Sequence, residues 1–164
     1  MPRIVQVNVK PETPGEVGLP KCPVAGAHIT VSGLSGDYNR YRTVRHAGDP
    51  DKAVLIVTRN LIELLNDEGW PVRNGDLGEN LTVEGIPYAS LAAGQRYRVG
   101  AGATLELSKQ AQPCKNLGSL VYVGGVNRTK EFIATLKDRR GWYARVLKEG
   151  IVRPGDAIEL IVDS

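Results

Sequence analysis

The apolar residues of this chain come in short runs, and glycine or proline closes nearly every one. Such a chain can build many strands and few helices. Arg3 to Val9 alternates apolar with polar residues, as a half-buried strand does. Ala27 to Ser32 repeats the pattern, closed by Gly33, and Leu81 to Val83 is shorter. Lys52 to Val57 is continuous and apolar, which suits a strand buried on both faces. Ala93 to Val99 and Pro154 to Leu160 echo each other, each with a glycine turn before an alternating strand. Ala103 to Ser108 is expected to pair with one such strand, because Gly100-Ala101-Gly102 is a hairpin turn candidate. Trp142 to Leu147 alternates again, and Ala157 to Val162 closes the series. Helical spacing occurs twice. Leu61, Ile62, Leu64 and Leu65 define a helix over Arg59 to Glu68, capped by Thr58 or Asn60 and stopped by Gly69. Phe132, Ile133 and Leu136 define a second, capped by Asn127. With 19 glycines, 10 prolines and a single phenylalanine, the core is built mainly from Val, Leu and Ile. The expected fold is mainly β (α+β): a closed or strongly curved antiparallel β-barrel with two or more short helices.

The chain has 164 residues, enough for one domain over 1–164 with a substantial core. No segment approaches the roughly 20 apolar residues that span a bilayer. No apolar run follows a basic start in Met1 to Lys10, so no signal peptide is expected and a cytoplasmic protein is. Cys22 and Cys114 are too few and too far apart for a disulfide framework, and no paired spacing suggests structural zinc. A net charge of +3 is mildly basic and is not the signature of a dedicated nucleic-acid binder. The basic residues nevertheless cluster, at Arg40, Arg42 and Arg45 and again from Lys137 to Arg145. The segment Tyr38 to His46 is too polar for core and reads as a surface or ligand-facing strand or loop.

Two stretches carry chemistry. In Gln112-Pro113-Cys114-Lys115-Asn116-Leu117 a thiol sits on a loop after a strand, with Lys109 and Lys115 on either side. The thiolate is the nucleophile and the metal ligand, and neighbouring cations favour it. The alternative is a small buried hydrophobe, the commoner fate of free cysteine. In Asn74-Gly75-Asp76-Leu77-Gly78-Glu79-Asn80, two glycines and four side-chain acceptors read as turn rather than core. That is either an ordinary turn or a place where backbone approaches a ligand. Cys22, beside Pro23 in the loop Pro11 to Pro23, reads as an incidental thiol.

The ordered set of motifs resembles the MOSC domain, the module also found at the C-terminus of molybdenum cofactor sulfurases. Gly18-Leu19-Pro20-Lys21 and Gly33-Leu34-Ser35-Gly36-Asp37 look like its N-terminal motifs. His46-Ala47-Gly48 with Asp51-Lys52-Ala53-Val54 looks like its histidine segment, with Ala47 where glycine is usual and one extra residue before Ala53. Gly78-Glu79-Asn80-Leu81, Pro113-Cys114 and Gly141 to Leu147 match the remaining motifs. The resemblance implies a β-rich, barrel-like fold and a molybdenum cofactor (molybdopterin). It implies Cys114 as persulfide carrier or molybdenum ligand, and a Gly78-Glu79-Asn80 turn lining the cofactor pocket. Its phosphate calls for cations, and Lys21, Arg40, Arg42, Arg45, Lys115 and Arg145 are available, each otherwise explained as a solvated surface charge. His46 is a candidate proton donor or a structural histidine. Some members are similar to reductases of N-hydroxylated bases, which makes that activity the second reading and a non-catalytic scaffold the third. The expected partners are an electron- or sulfur-donor protein, because the chain carries no ferredoxin-type cysteine cluster and no sulfur-mobilising domain.

Overall fold

A computed structural model describes residues 1–11, 14, 18–38 and 48–162. In chain order the elements are β1 (Arg3–Val9), β2 (Cys22–Val24), β3 (Ala27–Thr30), β4 (Gly33–Leu34), β5 (Val54–Thr58), α1 (Arg59–Asp67) and β6 (Leu81–Glu84). There follow β7 (Arg96–Val99), β8 (Ala103–Gln110), α2 (Val126–Leu136), β9 (Trp142–Lys148), β10 (Gly150–Val152) and β11 (Ile158–Leu160). The protein is mostly β-sheet with two α-helices, as the runs of the sequence predict. An eight-stranded sheet has the order β11-β7-β8-β9-β5-β6-β1-β2, and β10-β3-β4 form a second, three-stranded sheet.

Two expectations need correction. The described residues do not close a barrel: the large sheet ends at β11 and β2. Its first strand does curl back toward the last, but the link is one isolated bridge, Arg3 to Ala157, with a few backbone hydrogen bonds such as Ile4 N–H to Asp156 O, 2.8 Å. Three-residue β11 is too short to give a full ladder there. Nor is the sheet wholly antiparallel. β5 and β6 run parallel, with Ile56 opposite Leu81, because α1 carries the chain back between them.

β5 explains much of the layering. All five of its residues are buried. Val54 and Ile56 face the sheet core with Ile4, Val7, Leu81, Val83, Leu105 and Leu107. Val57 faces a second core under the helices, with Leu61, Ile62 and Leu65 of α1, Trp70, Leu77, Leu117, and Phe132 and Leu136 of α2. The continuous apolar run is therefore buried on both sides, which a strand between two cores requires.

α1 starts where Thr58 accepts the Leu61 N–H through its hydroxyl and buries Leu61, Ile62 and Leu65. Burying three such side chains contributes about 1.5–3 kcal/mol each, well above what a nine-residue helix gains from propensity. α2 departs from expectation at its start. Its N-cap is Gly125, at φ 89, and Asn127 lies inside the helix rather than capping it. The helix stops at Leu136, and Gly141 serves to admit β9. At φ 137 its missing Cβ would lie 2.9 Å from the Ile56 carbonyl oxygen. Cys22 belongs to β2, not to a loop as expected, and is exposed. No described helix is long and apolar enough to cross a membrane.

Candidate functional site

The Cys114 loop is an excursion from neighbouring strands. The chain leaves β8 at Gln110, opposite Trp142 of β9, and returns there after α2. The Ala111 N–H donates to the Gly141 carbonyl at 2.8 Å and ties the two ends together. That closure sets Cys114, just past the exit, beside Arg140, just before the return. One Arg140 Nη1 N–H donates to the Gln112 carbonyl at 3.0 Å, and the same nitrogen lies 3.9 Å from Cys114 Sγ. Cys114 is extended and half-buried, at the mouth of the short 3-10 turn Lys115–Ser119 that Leu117 anchors in the helix-side core.

The Asn74–Asn80 segment comes to the same guanidinium. β6 and β9 flank β5, and each begins at the level of Ile56. Arg140 reaches across with Nη2 to the Leu77 carbonyl at 3.2 Å. A Cβ on Gly78, which has φ +83, would stand 2.9 Å from Leu19 Cδ2 and 3.6 Å from Arg140 Nη2. Among the described residues Arg140 has no carboxylate partner: its hydrogen bonds go to carbonyls and to the sulfur. A half-buried cation in that condition favours an anion beside it.

Behind the turn lies a buried polar cluster, where the sequence suggested an exposed turn. Asp76, Glu79 and Asn80 are 3%, 0% and 1% exposed. The Lys21 ammonium meets Asp37 Oδ2 at 2.6 Å, both side chains almost fully buried. Burial pushes the Lys21 pKa down despite the attraction of Asp37. Asn80 Nδ2 donates to Asp37, and its Oδ1 accepts the Leu55 N–H. The Tyr122 hydroxyl donates to Asp76 at 3.0 Å. Its pKa is raised, first by burial and then by Asp76. Glu79 Oε2 accepts the Gly75 N–H at 3.0 Å and the Thr82 hydroxyl at 2.8 Å. Glu79 Oε1, among the described residues, has no partner. Burial pushes the Glu79 carboxyl up to about 7, against the pull of its hydrogen bonds. Gly75, at φ +92, lets the backbones touch: its Lys21 contact would put a Cβ 2.5 Å from a carbonyl oxygen.

The expected site residues thus divide. Cys114, Gly78, Glu79, Asn80 and Lys21 belong to one connected region, with half-buried Cys114 on its outer side and Gly78 buried with the other three behind it. Lys115 is exposed beside Cys114 and faces an apolar groove with Val126, Thr129 and Ile133. Arg145 is held by Asp51, at 2.8 Å, and by Glu106, on the sheet away from the Cys114 loop. Lys109 acts on Asp51 and Lys52. Arg40, Arg42, Arg45 and His46 lie outside the described residues. Sequence reasoning missed Arg140. The signal was its place directly before Gly141, since closure of the excursion returns that residue to the loop's start. No group of three or more metal-ligating His, Cys, Asp and Glu occurs among the described residues.

The MOSC domain family model matches residues 43–159, more than half of the chain. The chain belongs to the MOSC domain family. Among relatives, it is 31% identical over 150 residues to the uncharacterized protein YflK of Bacillus subtilis, covering 89% of this chain and 64% of YflK. It is 35% identical over 88 residues to a protein named "Reductase" from Gibberella moniliformis, covering 53% of this chain and 15% of that one. The MOSC chain therefore spans less than two thirds of the length of either relative. Its fold matches the crystal structure of the YUAD protein of Bacillus subtilis with a TM-score of 0.79 at 20% identity, covering 100% of this chain and 98% of that one.

Proposed function

We propose that this MOSC protein handles molybdenum cofactor or its sulfur through Cys114, which either carries a persulfide or ligates molybdenum. The observation that carries this reading is the half-buried Cys114 sulfur 3.9 Å from Arg140, a cation with no carboxylate partner among the described residues. Such a cation attracts an anionic group of a ligand brought to the same place. The residues fit a molybdenum cofactor by their chemistry. A thiolate is the donor that a soft metal prefers. The bare Cα of buried Gly78 lets the turn pack against Leu19 close to Arg140. Arg140 and Lys115 are cations that suit anionic groups of the cofactor. When bound, the cofactor supplies the redox chemistry. The chain's own residues hold Arg140 beside Cys114 from the Gln112 and Leu77 carbonyls, and keep Glu79, Asp76 and Lys21 out of water behind the turn.

A second reading, a reductase of N-hydroxylated small molecules drawing electrons from a partner protein, is favoured by the similarity to the fungal "Reductase". One experiment tests both. The protein is purified from cells that make molybdenum cofactor, and bound molybdenum, pterin and persulfide are measured for wild type and Cys114→Ala. Stoichiometric metal lost with Cys114 supports cofactor binding, and reduction of a hydroxylamine with an artificial donor then favours the reductase. A persulfide on Cys114 without metal supports sulfur carriage. Neither in the wild type overturns the proposal and leaves a scaffold.

A further inference from the structure

A fully buried carboxylate with one oxygen satisfied twice and the other not at all calls for an explanation, since most buried polar atoms are paired. Among the described residues Glu79 is such a group, and it sits behind the turn that touches the cation of the Cys114 loop. We propose that Glu79 is a positioning residue for Cys114, and that the proton it carries or releases changes how the Gly75–Gly78 turn holds Arg140 against the sulfur. This rests on the reading that Cys114 is the reactive atom, and it adds a residue that acts on it from a distance.

The connection is continuous. Glu79 Oε2 holds the Gly75 N–H at 3.0 Å. The Gly75 carbonyl accepts the N–H groups of Gly78 and Lys21. Leu77, between the two glycines, gives its carbonyl to Arg140. Arg140 Nη1 then reaches Gln112 and Cys114. Charge on Glu79 alters the first of these bonds, because a carboxylate accepts a hydrogen bond about twice as strongly as a neutral acid does. The charged and titratable groups facing Glu79 are Lys21, Asp76 and Tyr122. Lys21 is matched by Asp37, and Asp76 repels a second anion. With burial, that repulsion keeps Glu79 neutral until about pH 7. Ionisation then sets a negative charge behind the turn and weakens the positive field that Arg140 presents at the Cys114 sulfur.

The test is the pH profile of Cys114 alkylation by iodoacetamide, in a Cys22→Ser background so that one thiol reports. No cofactor is needed. Two interacting groups titrate as a pair, so the wild type should show an inflection near pH 7 besides that of the thiol. Glu79→Gln should remove it. Below pH 7 the two proteins should react alike, and above it the wild type should be about threefold slower. Arg140→Gln should erase the difference that Glu79→Gln makes, as a double-mutant cycle requires for a shared path. Superimposable profiles for wild type and Glu79→Gln overturn the proposal, as does a difference that survives loss of Arg140. Should Glu79→Gln fail to fold, a wild-type profile with one inflection overturns it equally. A retained inflection in a protein that binds neither metal nor sulfur would sink the proposed function and leave this inference standing.

Discussion

Glycine at position 75 is a steric necessity at one atom. Both Gly75, at φ +92, and Gly94, at φ +89, sit in the left-handed region, so alanine strains the backbone at either place. They differ in their surroundings. A Cβ at Gly75 meets the Lys21 carbonyl oxygen at 2.5 Å, whereas Gly94 has nothing within 4 Å. Gly94→Ala should therefore cost about 1 kcal/mol, and Gly75→Ala about 3 kcal/mol or more, by urea denaturation. Glu79 leads to a pH prediction. Its folded pKa, about 7, lies above the ordinary 4.5. The folded state therefore keeps a proton that the unfolded state releases, and stability falls as pH rises between those values. The full contribution is present below about pH 4.5 and gone above about pH 7. At most it is worth about 3 kcal/mol, from one pKa unit being about 1.4 kcal/mol. Glu79→Gln should flatten this part of the curve and leave the variant more stable than wild type at pH 8. Thermal unfolding at pH 5 and pH 8 checks it, and an unchanged pH dependence would contradict the burial argument.

Helix starts show where local signals succeed and fail. Thr58 is both a good cap by type and the observed one, with its hydroxyl on the Leu61 N–H. Asn127 is a good cap by type and caps nothing, because α2 begins at Val126 with the cap two residues earlier, at Gly125. Thr58→Ala should cost about 1 kcal/mol and Asn127→Ala less than about 0.5 kcal/mol, measured by chemical denaturation. Equal losses would mean that the cap residue of α2 is misassigned. The turn before β6 shows the opposite error. Its composition reads as exposed, yet Asp76, Glu79 and Asn80 are buried, since each finds hydrogen-bond partners outside the turn, most of them far away in sequence. Composition reports what a residue prefers alone, not what a distant strand supplies.

At the scale of the molecule, β5 divides two cores and the sheet ends at short strands. β5 pairs with β9 and β6 on its two sides and is buried throughout. β2 and β11, three residues each, are the ends of the sheet. Amide hydrogen exchange should be slowest across Val54–Thr58 and fastest at Cys22–Val24 and Ile158–Leu160. Uniform protection along the sheet would contradict this layering. The same architecture sets the site. Closure of the β8-to-β9 excursion by the Ala111–Gly141 bond brings Arg140 to Cys114, and the strands flanking β5 bring the Gly78 turn to Arg140.

Residue order alone was enough to mark most of the strands and both helices, the doubly buried run that becomes β5, the cysteine and glycine motifs, and the MOSC family. These follow from periodicity, turn residues and motif order, and the first two act within a few neighbouring positions. Folding in three dimensions was needed to leave the sheet open, to run β5 and β6 parallel, and to stand Arg140 rather than Lys109 at Cys114. It was needed also to bury Glu79 with one oxygen unpaired. Each of these depends on contacts between residues far apart in the chain, where the energy belongs to the pairing and not to either residue.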